Sequence, residues 1–266
     1  MIKKYELVHE DFIMVNRTKL FRIRALRSFL GVKAGELGGY VQNESNLSHQ
    51  GRCWIYDHAR VYHGAKVVDG GTVRDRATVT DGSIVRDYSV VKDDTVVTDH
   101  SNTRGEAVVG GNSHVEHSDI GGNSEVGDYA HIHSESVIKG QCKIGGNAEV
   151  NNAVVEGAST IGADSYVGKE CHLKNATLIG SVEVTGESYL SGIRIGFKVS
   201  GDESIAIYSD PTNHCAKIAV SKYRNEATSW NANGTIEDVI AAQHNEEGKA
   251  KMRSLLQAHK DIYNIK

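Results

Sequence analysis

Proline is nearly missing from this chain, and large aromatic side chains are scarce. Of 266 residues only Pro211 is proline, and phenylalanine, tryptophan and tyrosine together make up 6%. That composition does not suit a helical bundle or a sandwich packed around large rings. Long apolar runs are missing too, and none reaches the length of a membrane span. The opening Met1-Ile-Lys-Lys-Tyr-Glu-Leu-Val-His-Glu-Asp11 carries charges where a secretion signal needs an apolar stretch. Neither sign of charge dominates. A formal net charge of −4 supplies no field that draws the chain to nucleic acid or to an anionic membrane. The cysteines at 53, 142, 171 and 215 have no C-x-x-C or metal-type spacing. They read as small buried thiols of a reducing compartment, so a cytoplasmic protein is expected.

Glycine, by contrast, is plentiful at 28 residues, and Val, Ser, Thr, Asp and Asn recur throughout. Small and β-branched residues at this density suit short strands joined by tight turns. Their order is periodic. Aliphatic residues return every six positions at Ile55, Val61, Val67, Val73, Val79, Val85, Val91 and Val97. Thr103 interrupts the series, which resumes at Val109 and Val115. A five-residue step leads to Ile120, Val126, Ile132, Ile138, Ile144 and Val150, and a second to Val155, Ile161, Val167, Leu173 and Ile179. A third leads to Val184 and Leu190.

Two places before nearly every aliphatic sits a small side chain, as in Cys53, Ala59, Ala65, Gly71, Ala77, Ser83, Ser89 and Thr95. Period two makes each unit a short strand with both residues facing inward. The aspartates at 69, 75, 81, 87, 93 and 99 fall two places after an aliphatic. They resemble an acidic ladder but read as corner residues bonding their own turn backbone. Three units make a triangular coil of about eighteen residues, so the series gives about eight coils stacked at roughly 4.8 Å.

The segments Ile144-Gly-Gly-Asn-Ala-Glu-Val150 and Ile161-Gly-Ala-Asp-Ser-Tyr-Val167 resemble the left-handed β-helix of hexapeptide-repeat proteins. The left hand is implied by that resemblance, not by the periodicity. Gly38-Gly-Tyr-Val41, Asn46-Leu-Ser-His-Gln-Gly51 and Cys53-Trp-Ile-Tyr-Asp57 are similar to the opening of polymer-forming, acyltransferase-like hexapeptide proteins of enterobacteria and bacteriophages. The expected fold is mainly β: a single-stranded parallel β-helix over 51–192, an N-terminal β cap over 1–50 and a small α+β domain over 193–266. In that last domain, strands are expected at 204–208 and 215–221. Helices are expected from Thr235 and over 247–263.

Counting three units per coil sorts the outward residues onto three walls. One carries the glycines 110, 127, 145, 162 and 180, read as turn geometry or as room for a neighbouring backbone. A second carries Arg86, Arg104, Lys139 and Lys174, with Asp119, Glu156 and His172 beside them. Ordinary solvation is the first reading of that column, and an anionic ligand such as a nucleotide the second. The third carries His114, His131, Glu149 and Tyr166 in one column, flanked by Glu116, His133 and Asn151.

Thirteen histidines will stack somewhere by chance, so inert surface is the favoured reading of this third wall. A general base comes next and a metal ligand last, and no metal is expected. In the resembled acyltransferases a histidine activates the acceptor and acyl-CoA lies between two subunits. That would make His114 or His131 the base and Glu149 its orienter. Those enzymes commonly extrude a loop over the acceptor, whereas this repeat has only deletions between 53 and 191. The favoured expectation is therefore a non-catalytic scaffold, phage or prophage encoded by resemblance and needing no cofactor. It would form a homotrimer and hold an anionic ligand or host protein through Arg86, Arg104, Lys139, Lys174, His133 and Tyr166. The alternative is an acyl-CoA-dependent acyltransferase. Any pocket is expected between subunits or at the ends.

Overall fold

The computed structural model describes residues 2–29, 31–168, 170–178, 183–184, 189–191, 193–199, 203–209 and 216–222. Its centre is a β-solenoid of about eight turns built from strands of two to four residues. Two walls are eight-stranded sheets, one running from Trp54–Ile55 to Thr177–Leu178 and the other from Lys66–Val67 to Tyr189–Ser191. The third wall runs from Leu37–Val41 through Arg60–Val61 to Glu183–Val184. Within each wall successive coils pair in parallel, so Val91 lies between Val73 and Val109. Residues eighteen places apart in those coils are vertical neighbours.

The inward pattern holds residue by residue. Val73, Val79, Val85, Val91 and Val97 are fully buried, as are Ala59, Ala77, Ser83, Ser89, Thr95 and Ser101. The small inward residues matter for more than volume. Buried Ser89, Ser101, Ser113, Ser136, Ser159 and Ser165 each donate a hydroxyl to the carbonyl three residues back, at 2.6–2.8 Å. A serine bonded this way closes its own corner and satisfies its hydroxyl in the core, whereas Ser83 in the same column keeps a buried Oγ without a partner. Thr103 is not a break in the interior. It fills an aliphatic slot and is fully buried, but its Oγ1 has no partner.

The corners depart from expectation in one respect. Asp69, Asp75, Asp81, Asp87, Asp93 and Asp99 all adopt positive φ, between 49° and 61°. This is the left-handed conformation that Asp tolerates better than most side chains. Several of these carboxylates do not turn back on their own corner. Asp75, Asp87 and Asp93 accept from the backbone N–H of Asp93, Gly105 and Gly111, each one coil further on. The acidic column thus ties coils together.

The glycine wall also needs correction. Gly110, Gly127, Gly145 and Gly162 do not have positive φ, which falls instead on the next residue in Gly111, Asp128, Gly146 and Ala163. At Gly110 and Gly145 a Cβ would lie 2.7 Å from the Asp93 or Asp128 carboxylate. The missing side chains clear the path by which those aspartates reach the next coil. Gly180 lies outside the described residues. Leu178, not Ile179, takes the inward slot beneath Ile161, so the third shortened step falls between Leu173 and Leu178. Two adjacent aliphatics carry no size difference from which the sequence could choose.

At the N-terminal end, Tyr5–Val15 and Thr18–Ala25 form an antiparallel hairpin that pairs with Leu37–Val41 and so extends the third wall. Lys4 is wholly buried beneath it, donating to the carbonyl oxygens of Cys53 (2.8 Å) and Gln50 (3.3 Å). Cys53, Cys142 and Cys171 are buried. Towards the C-terminus, Ile193–Val199, Glu203–Ser209 and Ala216–Lys222 form an antiparallel sheet. Two of these strands match the expected ones, and the first was not foreseen. The expected helices from Thr235 and over 247–263, with Cys215, lie outside the described residues. Among the described residues no helix is long and apolar enough to cross a membrane.

Candidate functional site

The third wall brings together every residue expected there. His114, His131, Glu149 and Tyr166 occupy one register column in successive coils. Glu116 sits above Thr98, and His133 pairs with Asn151. Period two puts His114 and Glu116 outward on one strand, and His131 and His133 outward on the next. With strands about 4.8 Å apart, side chains of neighbouring coils must touch.

They touch in a particular order. The rings of His131 and His133 stack at 4.4 Å with 24° between their planes. His114 meets His131 edge to face at 5.2 Å and 67°. Glu149 was expected to orient His114 or His131 and does neither. Its Oε1 lies 2.9 Å from Nε2 of His133, the diagonal neighbour. The other nitrogen of His133, Nδ1, lies 2.9 Å from the hydroxyl of Ser134. With a carboxylate at Nε2 the proton belongs there, and Nδ1 is left to accept. Tyr166 accepts from the amide of Asn151 at 3.3 Å.

His131 is half-buried between two other imidazoles. Burial first, then the neighbouring His133 and His114, hold its pKa below the ordinary imidazole value. The Nε2 atoms of His131 and His114 are both buried without a hydrogen-bond partner.

His133 also borders a recess of about 550 Å³ at the adjoining corner, with Asp99, Glu116, His117, Ser134, Glu135, Asn151 and Asn152. The corner owes its uneven outline to the shortened steps. Some coils turn it with two left-handed residues, Asp99–His100 or Ser134–Glu135, and others with one, His117 or Asn152. Each shortened coil drops one corner residue, which keeps the walls in register and notches the edge. A concave place therefore exists on the wall of one chain. A second, of about 680 Å³, follows the glycine wall past Gly110, Gly127, Gly145 and Gly162.

The basic wall is less free than its column suggests. Arg104 grips Asp119 with Nε and Nη2 at 2.9 and 2.7 Å. Glu156 stands inside the column, between Lys139 and Lys174. It lies 2.9 Å from Lys139, 3.3 Å from Lys174 and 3.1 Å from His172. Lys139 first, with Lys174 and His172 helping, holds the Glu156 carboxyl down at about 2. Arg86 donates to Asn102 at 3.2 Å. Sequence counting put the cations on one wall but could not show that the acids beside them reach across the coils.

Residues 93–182 match a family model described as GlmU-like, C-terminal hexapeptide. A stretch of 53 residues is 40% identical to an uncharacterized acetyltransferase, YdcK, of Escherichia coli (strain K12). That match covers 20% of this chain and 16% of the relative's length. Six-residue spacing, three walls of parallel two-residue strands and the family match converge on one statement. The solenoid of this chain is a hexapeptide-repeat structure.

Proposed function

We propose that the histidine wall is the acceptor side of an acyl-CoA-dependent acyltransferase, with His133 as general base and Glu149 as its orienting carboxylate. One observation carries the reading. The His133 ring is held between Glu149 at 2.9 Å and the Ser134 hydroxyl at 2.9 Å, beside an open recess. The Ser134 hydroxyl marks where an acceptor hydroxyl or amine would place its proton. Nδ1 takes that proton as the acceptor attacks the thioester carbonyl. The C–S bond then breaks, and the imidazolium returns the proton to the departing thiolate. Glu149 keeps the second proton on Nε2 throughout. The match to a relative named as an acetyltransferase supports this class of chemistry.

The non-catalytic scaffold holding an anion on Arg86, Arg104, Lys139 and Lys174 has less support, because carboxylates already occupy three of these four cations. The test is thiol release from acetyl-CoA across a panel of amine and hydroxyl acceptors. His133→Ala should slow turnover by about 10²–10⁴-fold, the range expected for a positioned base. Glu149→Gln should also slow it, while Arg86→Ala leaves it unchanged. Release no faster than in buffer, or unaltered by His133→Ala, would remove the proposal.

A further inference from the structure

His114 and His131 have no role in that chemistry, and both present a buried nitrogen with nothing to bond. Buried polar atoms are rarely left in this state, and here two of the same kind occur on adjacent strands. The rings stand at 67° to each other and not in parallel, so one edge approaches the other. Glu116, two residues along from His114, brings its carboxylate to 3.9 Å from His114 Nε2. One ligand atom from each of His114, Glu116 and His131 falls within 4.8 Å of the other two.

The geometry points to a divalent transition-metal site, of the zinc type, held by His114, Glu116 and His131. The repeat explains how it is built. A His-x-Glu pair on one strand sends both side chains to the same wall, and a histidine in register on the next coil completes the set. Two imidazoles and one carboxylate match zinc and its neighbours in the first transition row. They do not match calcium or magnesium, which take oxygen ligands. Three protein ligands leave a fourth position for water, as catalytic zinc sites do. Behind them, His133 stacks on His131 and is itself fixed by Glu149, an outer support that holds a ligand ring in place.

This inference does not rest on acyl transfer, since its three ligands take no part in that chemistry and the two tests can fail separately. Untagged chain, stripped with chelator, is titrated with Zn²⁺ by calorimetry, and bound metal is counted after dialysis. One ion per chain is expected. His114→Ala and His131→Ala should each weaken binding by roughly 100-fold or more, above the roughly 10–100-fold that outer-shell partners carry. His117→Ala should leave it unchanged, because that exposed imidazole belongs to the neighbouring corner. A folding defect in the variants is circumvented by ¹⁵N NMR of the unaltered chain, where Zn²⁺ should shift the Nε2 resonances of His114 and His131. Stoichiometry well below one, equal loss in His117→Ala, or unmoved His114 and His131 resonances would each overturn the site.

Discussion

At Thr103 the solenoid carries a hydroxyl where every neighbouring coil carries a methyl. The residue is fully buried and its Oγ1 is unpaired, whereas six serines of the small column, Ser89 and Ser101 among them, find carbonyls three residues back. The contrast is positional. A hydroxyl in the small slot lies next to a corner carbonyl, and one in the aliphatic slot points at apolar neighbours Val85 and Ile120. Thr103→Val keeps the shape and removes the unpaired group. Since such a group costs about 1–3 kcal/mol, the variant should be more stable by about 1 kcal/mol, read as a raised denaturant midpoint with unchanged slope. An unchanged or lowered midpoint would mean that the hydroxyl has a partner after all.

Among elements, the basic wall shows how vertical neighbours rewrite a column. Glu156 lies among Lys139, Lys174 and His172, and its carboxyl titrates at about 2 instead of 4.5. A carboxyl depressed on folding adds stability that is complete above its unfolded value. That stability is lost as pH falls from about 4.5 towards about 2. The thermal midpoint of the unaltered chain should therefore fall more steeply across that window than the midpoint of Glu156→Gln. Parallel curves would show that the three cations contribute nothing through this carboxylate. The same vertical logic places the Asp93 carboxylate on the Gly111 amide, past a glycine that leaves it room. Asp residues that look repetitive along the chain are therefore links between coils.

For the molecule as a whole, stability is a stack. Each coil gives its backbone to the coils on either side, so an interior defect reaches its neighbours. Val91 is fully buried between Val73 and Val109, and Val91→Asp should cost several kcal/mol and unfold the solenoid. Tyr88→Asp, three residues earlier but 63% exposed, should stay within about 0.5 kcal/mol. Circular dichroism during thermal melting separates the two outcomes, and equal losses would contradict the stacked architecture.

The coil count, the three walls and most of the column membership could be read from the chain alone. They follow from two local rules, side-chain alternation at period two and corners at period six, and both are written into every repeat. The shortened steps strained this reading at Leu178 and Ile179, where two similar residues compete for one slot, and at Glu156, which stands in the basic column and not beside it. Contacts within a wall were a different matter. Glu149 reaches His133 and not His131, and Glu156 gathers cations from two other coils. Two bare imidazole nitrogens meet beside Glu116. Those choices depend on how rings and carboxylates from different coils share space at a separation of about 4.8 Å, a competition that no single repeat encodes.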